Sequence, residues 1–116
     1  MKKLNKIAKR ITAYDEVVEQ FIKECENSGK FNPDQLREIR KGFNYDLSLD
    51  QVKVYADPKF DKYQMEEIRL SFENGLTMEQ VKLYADPKFD DFQMNRIYWD
   101  FKNGMSIEEV KEKYDL

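Results

Sequence analysis

A segment of 29 residues occurs three times in succession along this chain, without insertions. The copies span residues 31–59, 60–88 and 89–116, and the middle one reads FDKYQMEEIRLSFENGLTMEQVKLYADPK. The first copy matches the middle one at 15 of 29 positions, and the last matches it at 12 of 28. A repeat this short cannot bury a core alone, so neighbouring copies must share one. The sequence therefore predicts a helical array within one domain.

The pattern within each copy predicts two helices joined by a tight turn. An Asn or Asp followed three residues later by Gln opens the first helix, and Ser or Thr followed by Gln or Glu opens the second. Gly75 and Gly104 end the first helix of the later copies, whereas Asp46 takes that place in the first copy and predicts a weaker cap. The predicted core stripes of the first helices are Leu36, Ile39 and Phe43, then Met65, Ile68 and Phe72, then Met94, Ile97 and Phe101.

Two further segments precede the repeats. Residues 12–30 predict a capping helix that begins at Thr12 or Asp15 and closes at Gly29. Residues 1–11 form a basic N-terminal arm with five basic and no acidic side chains, which is either a solvated terminus or an arm for nucleic acid or an acidic partner. The apolar face of the capping helix comprises Tyr14, Val17, Val18, Phe21, Ile22 and Cys25.

The predicted fold is all-α, with an N-terminal helix followed by three tandem two-helix, helix-turn-helix-like repeats that form a short array or compact bundle. The 116 residues are expected to make one domain. No apolar run approaches the roughly 18 residues of a membrane span, and no signal peptide is recognisable. Cys25 is the only cysteine and cannot form an internal disulfide, so we expect a cytoplasmic protein without a membrane partner.

Several kinds of chemistry lack their usual residues. The chain has no histidine, which removes the commonest general base and metal ligand. It has no glycine-rich phosphate loop, and the acidic turns at Asp57 and Asp86 lack the alternating ligands and central glycine of an EF-hand. We therefore expect no enzymatic activity, no cofactor and no metal site.

Residues 68–81, IRLSFENGLTMEQV, resemble the helix–turn–helix core of recombinase and sigma-factor DNA-binding domains. The shared features are an Ile-Arg helix, a Gly-Leu-Thr turn and a Val in the next helix. This resemblance implies duplex DNA as a partner. However, the chain after residue 10 holds 15 basic and 23 acidic residues, and such a charge repels phosphate. A DNA-associated regulator that uses the basic arm and these units is therefore the alternative function.

Residues 31–116 also resemble tandem 29-residue helical repeats in uncharacterised, often mobile-element-borne, proteins of low-GC Gram-positive bacteria. The shared pattern is Q-M-x-x-I-R-x-G-x-x-x-G-L-x-x-x-Q-V-x-x-Y-A-x-P-x-F, from which this chain departs at Asp46 and Lys113. The resemblance implies a bacterial, cytoplasmic accessory segment with a binding or regulatory role. It brings no enzymatic activity with it.

Two positions of the first helix, seven residues apart and therefore on one face, change character between copies. Both are polar in the first copy, at Asp34 and Lys41, and apolar in the later copies. Either this face packs between units, or it is an exposed patch for a protein partner or a second copy. We expect Trp99 to be partly exposed, because its counterpart is a lysine. The candidate partner-binding residues are Phe92, Tyr98, Trp99, Tyr63 and Leu70.

These patterns favour a non-enzymatic helical-repeat protein-interaction module, with a protein partner or self-association. Nucleic acid is possible but disfavoured by the acidic array. A structural fragment of a longer repeat protein is a third interpretation.

Overall fold

The computed structural model describes the backbone of residues 2–116 and the side chains of residues 13–116. Within these residues all regular secondary structure is α-helical, which confirms the predicted fold class. The N-terminal helix precedes three helix pairs, here called units 1, 2 and 3. The helices are α1 (Lys2–Asn27), α2 (Pro33–Asn44) and α3 (Leu49–Tyr55) of unit 1, α4 (Lys62–Glu73) and α5 (Met78–Lys82) of unit 2, and α6 (Asp91–Lys102) and α7 (Ile107–Tyr114) of unit 3.

Helix α1 is longer than the sequence predicted, since it begins at Lys2 rather than at Thr12 or Asp15. Neither glycine nor proline interrupts it, and its N-terminal half is rich in the strong helix formers Lys, Leu, Ala and Arg. Gly29 follows the helix with the predicted left-handed backbone, at φ 69°. The predicted binding role of the basic arm falls on Met1 and on side chains that lie outside the described residues.

The predicted capping boxes form at the start of every helix from α2 to α7. In each, the cap side chain accepts the amide three residues on at 2.8–3.2 Å, and the Gln or Glu of that residue accepts the cap amide in return. These bonds satisfy amides that a helix start leaves unpaired. The six caps are Asn32, Ser48, Asp61, Thr77, Asp90 and Ser106.

The turn inside each unit requires a left-handed residue. Gly75 and Gly104 supply it at φ 92° and 98°, and Asp46 supplies it in unit 1 at φ 66°. Left-handed backbone is costly for a residue with a Cβ, although Asp tolerates it better than most. The sequence-based expectation of a less favourable cap in unit 1 therefore has a geometric basis.

Replacing Asp46 by glycine is expected to raise the free energy of unfolding by about 1 kcal/mol, because the left-handed backbone no longer carries a side chain. Urea denaturation measures the change. The matched control is Gly75→Asp, which should lower stability by a similar amount, since a Cβ at Gly75 meets open space and only the backbone is strained. Loss of stability in Asp46→Gly would contradict this account of the turn.

The core runs continuously through the three units. Each first helix contributes one fully buried isoleucine, and each second helix contributes one fully buried valine. The hydroxyl of Tyr55 donates to the Glu38 carbonyl at 2.8 Å, and that of Tyr84 donates to Ser71 Oγ at 2.5 Å, so both buried phenols have partners. The repeated core residues are Ile39, Ile68 and Ile97 with Val52, Val81 and Val110.

The first helices of the three units stack in a row. Helix α4 packs between α2 and α6, and α1 packs against α2 on the side away from α4. Each second helix packs beside the first helix of its own unit. No helix of the described part of the chain has both the length and the apolar character that crossing a membrane requires.

Candidate partner-binding surface

A glutamine in the first turn of α2 and of α4 ties each of these helices to the start of the following unit. The amide nitrogen of Gln35 donates to the carbonyl oxygens of Pro58 and Phe60, at 3.2 and 2.7 Å. Gln64 makes the corresponding pair of bonds to unit 3 at the same two distances. Both glutamines are buried, and their carbonyl oxygens hold the capping boxes. One side chain therefore both caps its helix and fixes where the following unit begins.

A buried ion pair crosses the junction between α2 and α4. Arg69 Nε donates to Glu38 Oε2 at 3.0 Å, and the two side chains are only 6% and 8% exposed. Arg69 also pairs with Glu73 on its own helix. Burial lowers the pKa of Arg69, but hydrogen bonds and charge from the two glutamates outweigh it and hold this pKa above its ordinary value. The arginine therefore stays charged inside the junction.

The junction between α4 and α6 is polar instead of ionic. Glu67, the counterpart of Glu38, accepts from Asn95 Nδ2 at 3.3 Å on both carboxylate oxygens. Tyr98 occupies the position of Arg69 and is 9% exposed. Burial raises the pKa of Glu67, and the bond from Asn95 offsets only part of that rise. Corresponding positions thus use different chemistry at the two junctions.

Helix α6 presents the same side as α2 and α4, but the described residues place nothing against it. Phe92, Gln93 and Arg96 correspond to Asp34, Gln35 and Glu38, which contact the following unit from α2. All three are exposed in unit 3. Among the described residues, the amide nitrogen of Gln93 has no carbonyl partner.

We call the stripe along this side the α6 outer face. It consists of Phe92, Arg96, Trp99 and Asn103, spaced by four, three and four residues, so that all four share one side of the helix. Phe92 is 80% exposed and Trp99 is 53% exposed, as predicted for the tryptophan. The indole of Trp99 lies edge-on to the Tyr98 ring, with ring centroids 5.3 Å apart.

The structure does not bring the five candidate binding residues together on one exposed surface. Phe92 and Trp99 lie together on the α6 outer face, while Tyr63 is exposed on α4. Leu70 is half-buried and lines a groove between α4 and α6 that Trp99 also borders. The expectation that Tyr98 belongs to an exposed patch is wrong, because it packs into the junction with α4.

Sequence reasoning did not identify Arg96 or Gln93 as members of this surface. The signal for Arg96 is a reversal of charge, since Glu38 and Glu67 stand at the corresponding positions. The signal for Gln93 is its identity with Gln35 and Gln64, whose capping role was predicted while their contacts to the next unit were not.

Other side-chain chemistry is sparse in the described part of the chain. Cys25 is buried, as predicted for a core residue, and burial raises the pKa of its thiol. No cluster of three or more His, Cys, Asp or Glu side chains among residues 13–116 is arranged to hold a metal ion. The chain matches no protein-family model, no curated protein and no solved structure.

Unit 3 differs from units 1 and 2 at the contact between α6 and α7. There Asp100 accepts from Lys113 Nζ at 3.0 Å and also from the hydroxyl of Tyr114. Its counterparts are Gly42 and Ser71, which lie beside buried tyrosines. Burial raises the pKa of Asp100, but the bonds from Tyr114 and Lys113 prevail and hold this pKa below its ordinary value of 3.8.

A carboxylate whose folded-state pKa is depressed stabilises the fold above its unfolded pKa and loses that contribution as the pH falls. The stabilising effect of Asp100 should therefore be complete at neutral pH and fade below about pH 4. Asp100→Asn is expected to lower the melting temperature at pH 7. The difference in melting temperature between this variant and the wild type should be smaller at pH 2.5. The control is Asp50→Asn on an exposed helix start, and an equal effect of both variants at each pH would contradict the prediction.

Proposed function

We propose that this chain is a non-enzymatic, cytoplasmic protein-interaction module that binds a helix of a protein partner, either a different protein or a second copy of the chain, through the α6 outer face. The observation that carries the proposal is positional. Helix α6 exposes Phe92 and Trp99 on the side that α2 and α4 turn toward the following helix. A partner helix can therefore dock by the packing that already joins the units. The relationship to bacterial mobile-element repeats that the resemblance implies is compatible with such a role and stays a prediction.

The composition of this surface suits protein binding. Aromatic side chains and arginine are enriched in the buried centres of protein interfaces, and Trp, Tyr and Arg dominate their binding energy. Phe92 and Trp99 lie about two helical turns apart, which leaves room for one apolar side chain of a partner between them. Arg96, between the two aromatics, and Gln93, beside them, add hydrogen-bond donors that give such a contact a preferred orientation.

The charge of the second helices supports a protein partner over duplex DNA. A recognition helix approaches phosphates on both sides of the major groove, so basic residues are needed near its start. The first turns of α3, α5 and α7 instead carry acidic residues, at Asp50, Glu79 and Glu108 with Glu109. DNA binding is therefore the alternative function.

A photo-crosslinking side chain in place of Phe92 tests the proposal in cells that naturally express the chain. We expect covalent adducts with protein at this position. The control carries the same crosslinker in place of Val17, which is 53% exposed on α1. Equal adducts at both positions would contradict the proposed surface. Salt-dependent binding of purified chain to duplex DNA at physiological ionic strength would favour the alternative.

A further inference from the structure

We infer that the protein covering the α6 outer face is a second copy of this chain, bound tail to tail about a two-fold axis. This inference rests on the proposed function and specifies the partner. It predicts a closed dimer in which two α6 helices pack antiparallel, because a two-fold contact uses the same surface of both copies.

The opposite end of the row of first helices is already covered by α1, so a second copy cannot pack there against α2. Helix α2 faces α4 on one side and α1 on the other. Its side toward α1 corresponds to the side of α4 that faces α2. Arg40, the counterpart of Arg69, pairs there with Glu26 of α1, and the rings of Phe21 and Phe43 meet edge to face at 6.1 Å. A copy docking on this side of α2 must displace α1. Two copies are therefore expected to meet through the α6 outer face of each.

The α6 outer face is complementary to itself in one orientation. An antiparallel pair with its two-fold axis between residues 97 and 98 places Arg96 opposite Trp99 of the second copy, and Phe92 opposite Asn103. The symmetry forms each contact twice, and an arginine over an indole face is a favourable cation–π pair. Arg96 makes no salt bridge within the described residues, so it is free for this role. A parallel pair would instead bring the two Arg96 side chains together.

The dimer is expected to be weak. Helix α6 has 12 residues and is therefore about 18 Å long. One helix pair of that length buries less area than the roughly 1,600 Å² of a standard stable interface. We accordingly expect a dissociation constant on the order of micromolar rather than nanomolar.

Sedimentation equilibrium of the full chain from about 1 to 500 µM tests the inference. We expect a monomer–dimer equilibrium in which Trp99→Lys and Arg96→Glu each raise the dissociation constant by at least about tenfold. Val17→Lys, a matched change at an exposed site on α1, should leave it unchanged. Circular dichroism and thermal unfolding of each variant show whether it folds, and Arg96→Glu provides the test should Trp99→Lys fail to do so.

Three results would overturn the inference. One is a monomer at every concentration, the second is a dimer indifferent to both α6 variants, and the third is growth into larger assemblies. A monomer would leave the proposed function standing, because the crosslinker at position 92 reports on any protein partner. Adducts of twice the chain mass and adducts of other masses further distinguish a second copy from a different protein.

Disulfide trapping tests the orientation of the pair. In a Cys25→Ala background, a mixture of Phe92→Cys and Asn103→Cys chains is expected to form the mixed disulfide faster than either chain pairs with itself. Preferential self-pairing of Phe92→Cys would contradict the antiparallel arrangement.

Discussion

Truncating Phe72 to alanine is expected to lower the free energy of unfolding by about 3–5 kcal/mol, the range for a buried aromatic side chain. Phe72 is 4% exposed and lies in α4, the middle of the three stacked first helices, so packed elements surround it on both sides. Its loss leaves a cavity that the neighbouring units cannot close without moving. Since small domains have about 5–15 kcal/mol of stability in total, one such change is a large fraction of it.

Urea denaturation at low protein concentration measures this change. The matched control is Phe92→Ala, the same substitution on the first helix of the next unit, at a side chain that is 80% exposed. Its cost should fall within about 0.5 kcal/mol, as for most surface changes. A cost below about 1 kcal/mol for Phe72→Ala would mean that the shared core does not hold the array together.

Removing Glu38 is expected to cost about 3 kcal/mol, at the low end of the range for breaking a buried ion pair. Glu38→Ala leaves the guanidinium of Arg69 inside the junction between α2 and α4, with Glu73 as its remaining acidic partner. Much of the cost is the penalty for a buried charge that has lost one of its hydrogen-bond partners. The exposed pair of Arg37 with Asp34 provides the comparison, and Arg37→Ala should cost less than about 1 kcal/mol.

The junction between α4 and α6 supplies a further control, because its two helices pack at the corresponding positions without an ion pair. Tyr98 and Asn95 stand there at the positions of Arg69 and Glu66. The double variant Arg69→Tyr/Glu66→Asn transfers that arrangement to the first junction, opposite Glu38. It should recover most of the stability that Arg69→Ala loses. No recovery would show that the two junctions are not interchangeable.

The sequence was most informative where structure depends on local chemistry. The six capping boxes and the left-handed turns at Gly75 and Gly104 follow from residues within one turn of each other, and both predictions are confirmed. The start of α1 was missed because Thr12 and Asp15 resemble N-caps, although the residues before them also favour a helix.

The candidate site was only partly predictable, because exposure depends on residues that are distant in the chain. Tyr98 and Trp99 are adjacent aromatic residues, yet one packs against α4 and the other is half-exposed. Likewise, the bonds of Gln35 reach 23 and 25 residues ahead, beyond any local pattern. A comparison of the three copies shows which of these residues make contacts between units only once it is known that the first helices stack.

The emission of Trp99 provides the most direct test of the claim that protein covers the α6 outer face. Trp99 is the only tryptophan, so a Trp99→Phe chain is a silent second copy that keeps an aromatic ring at this position. We expect dilute wild-type chain to emit as an exposed indole, and excess Trp99→Phe chain to shift that emission to the blue. Excess Trp99→Lys chain should produce no shift. Emission that is already blue in dilute solution, together with unfolding of the Trp99→Lys chain, would show instead that Trp99 is an ordinary core residue.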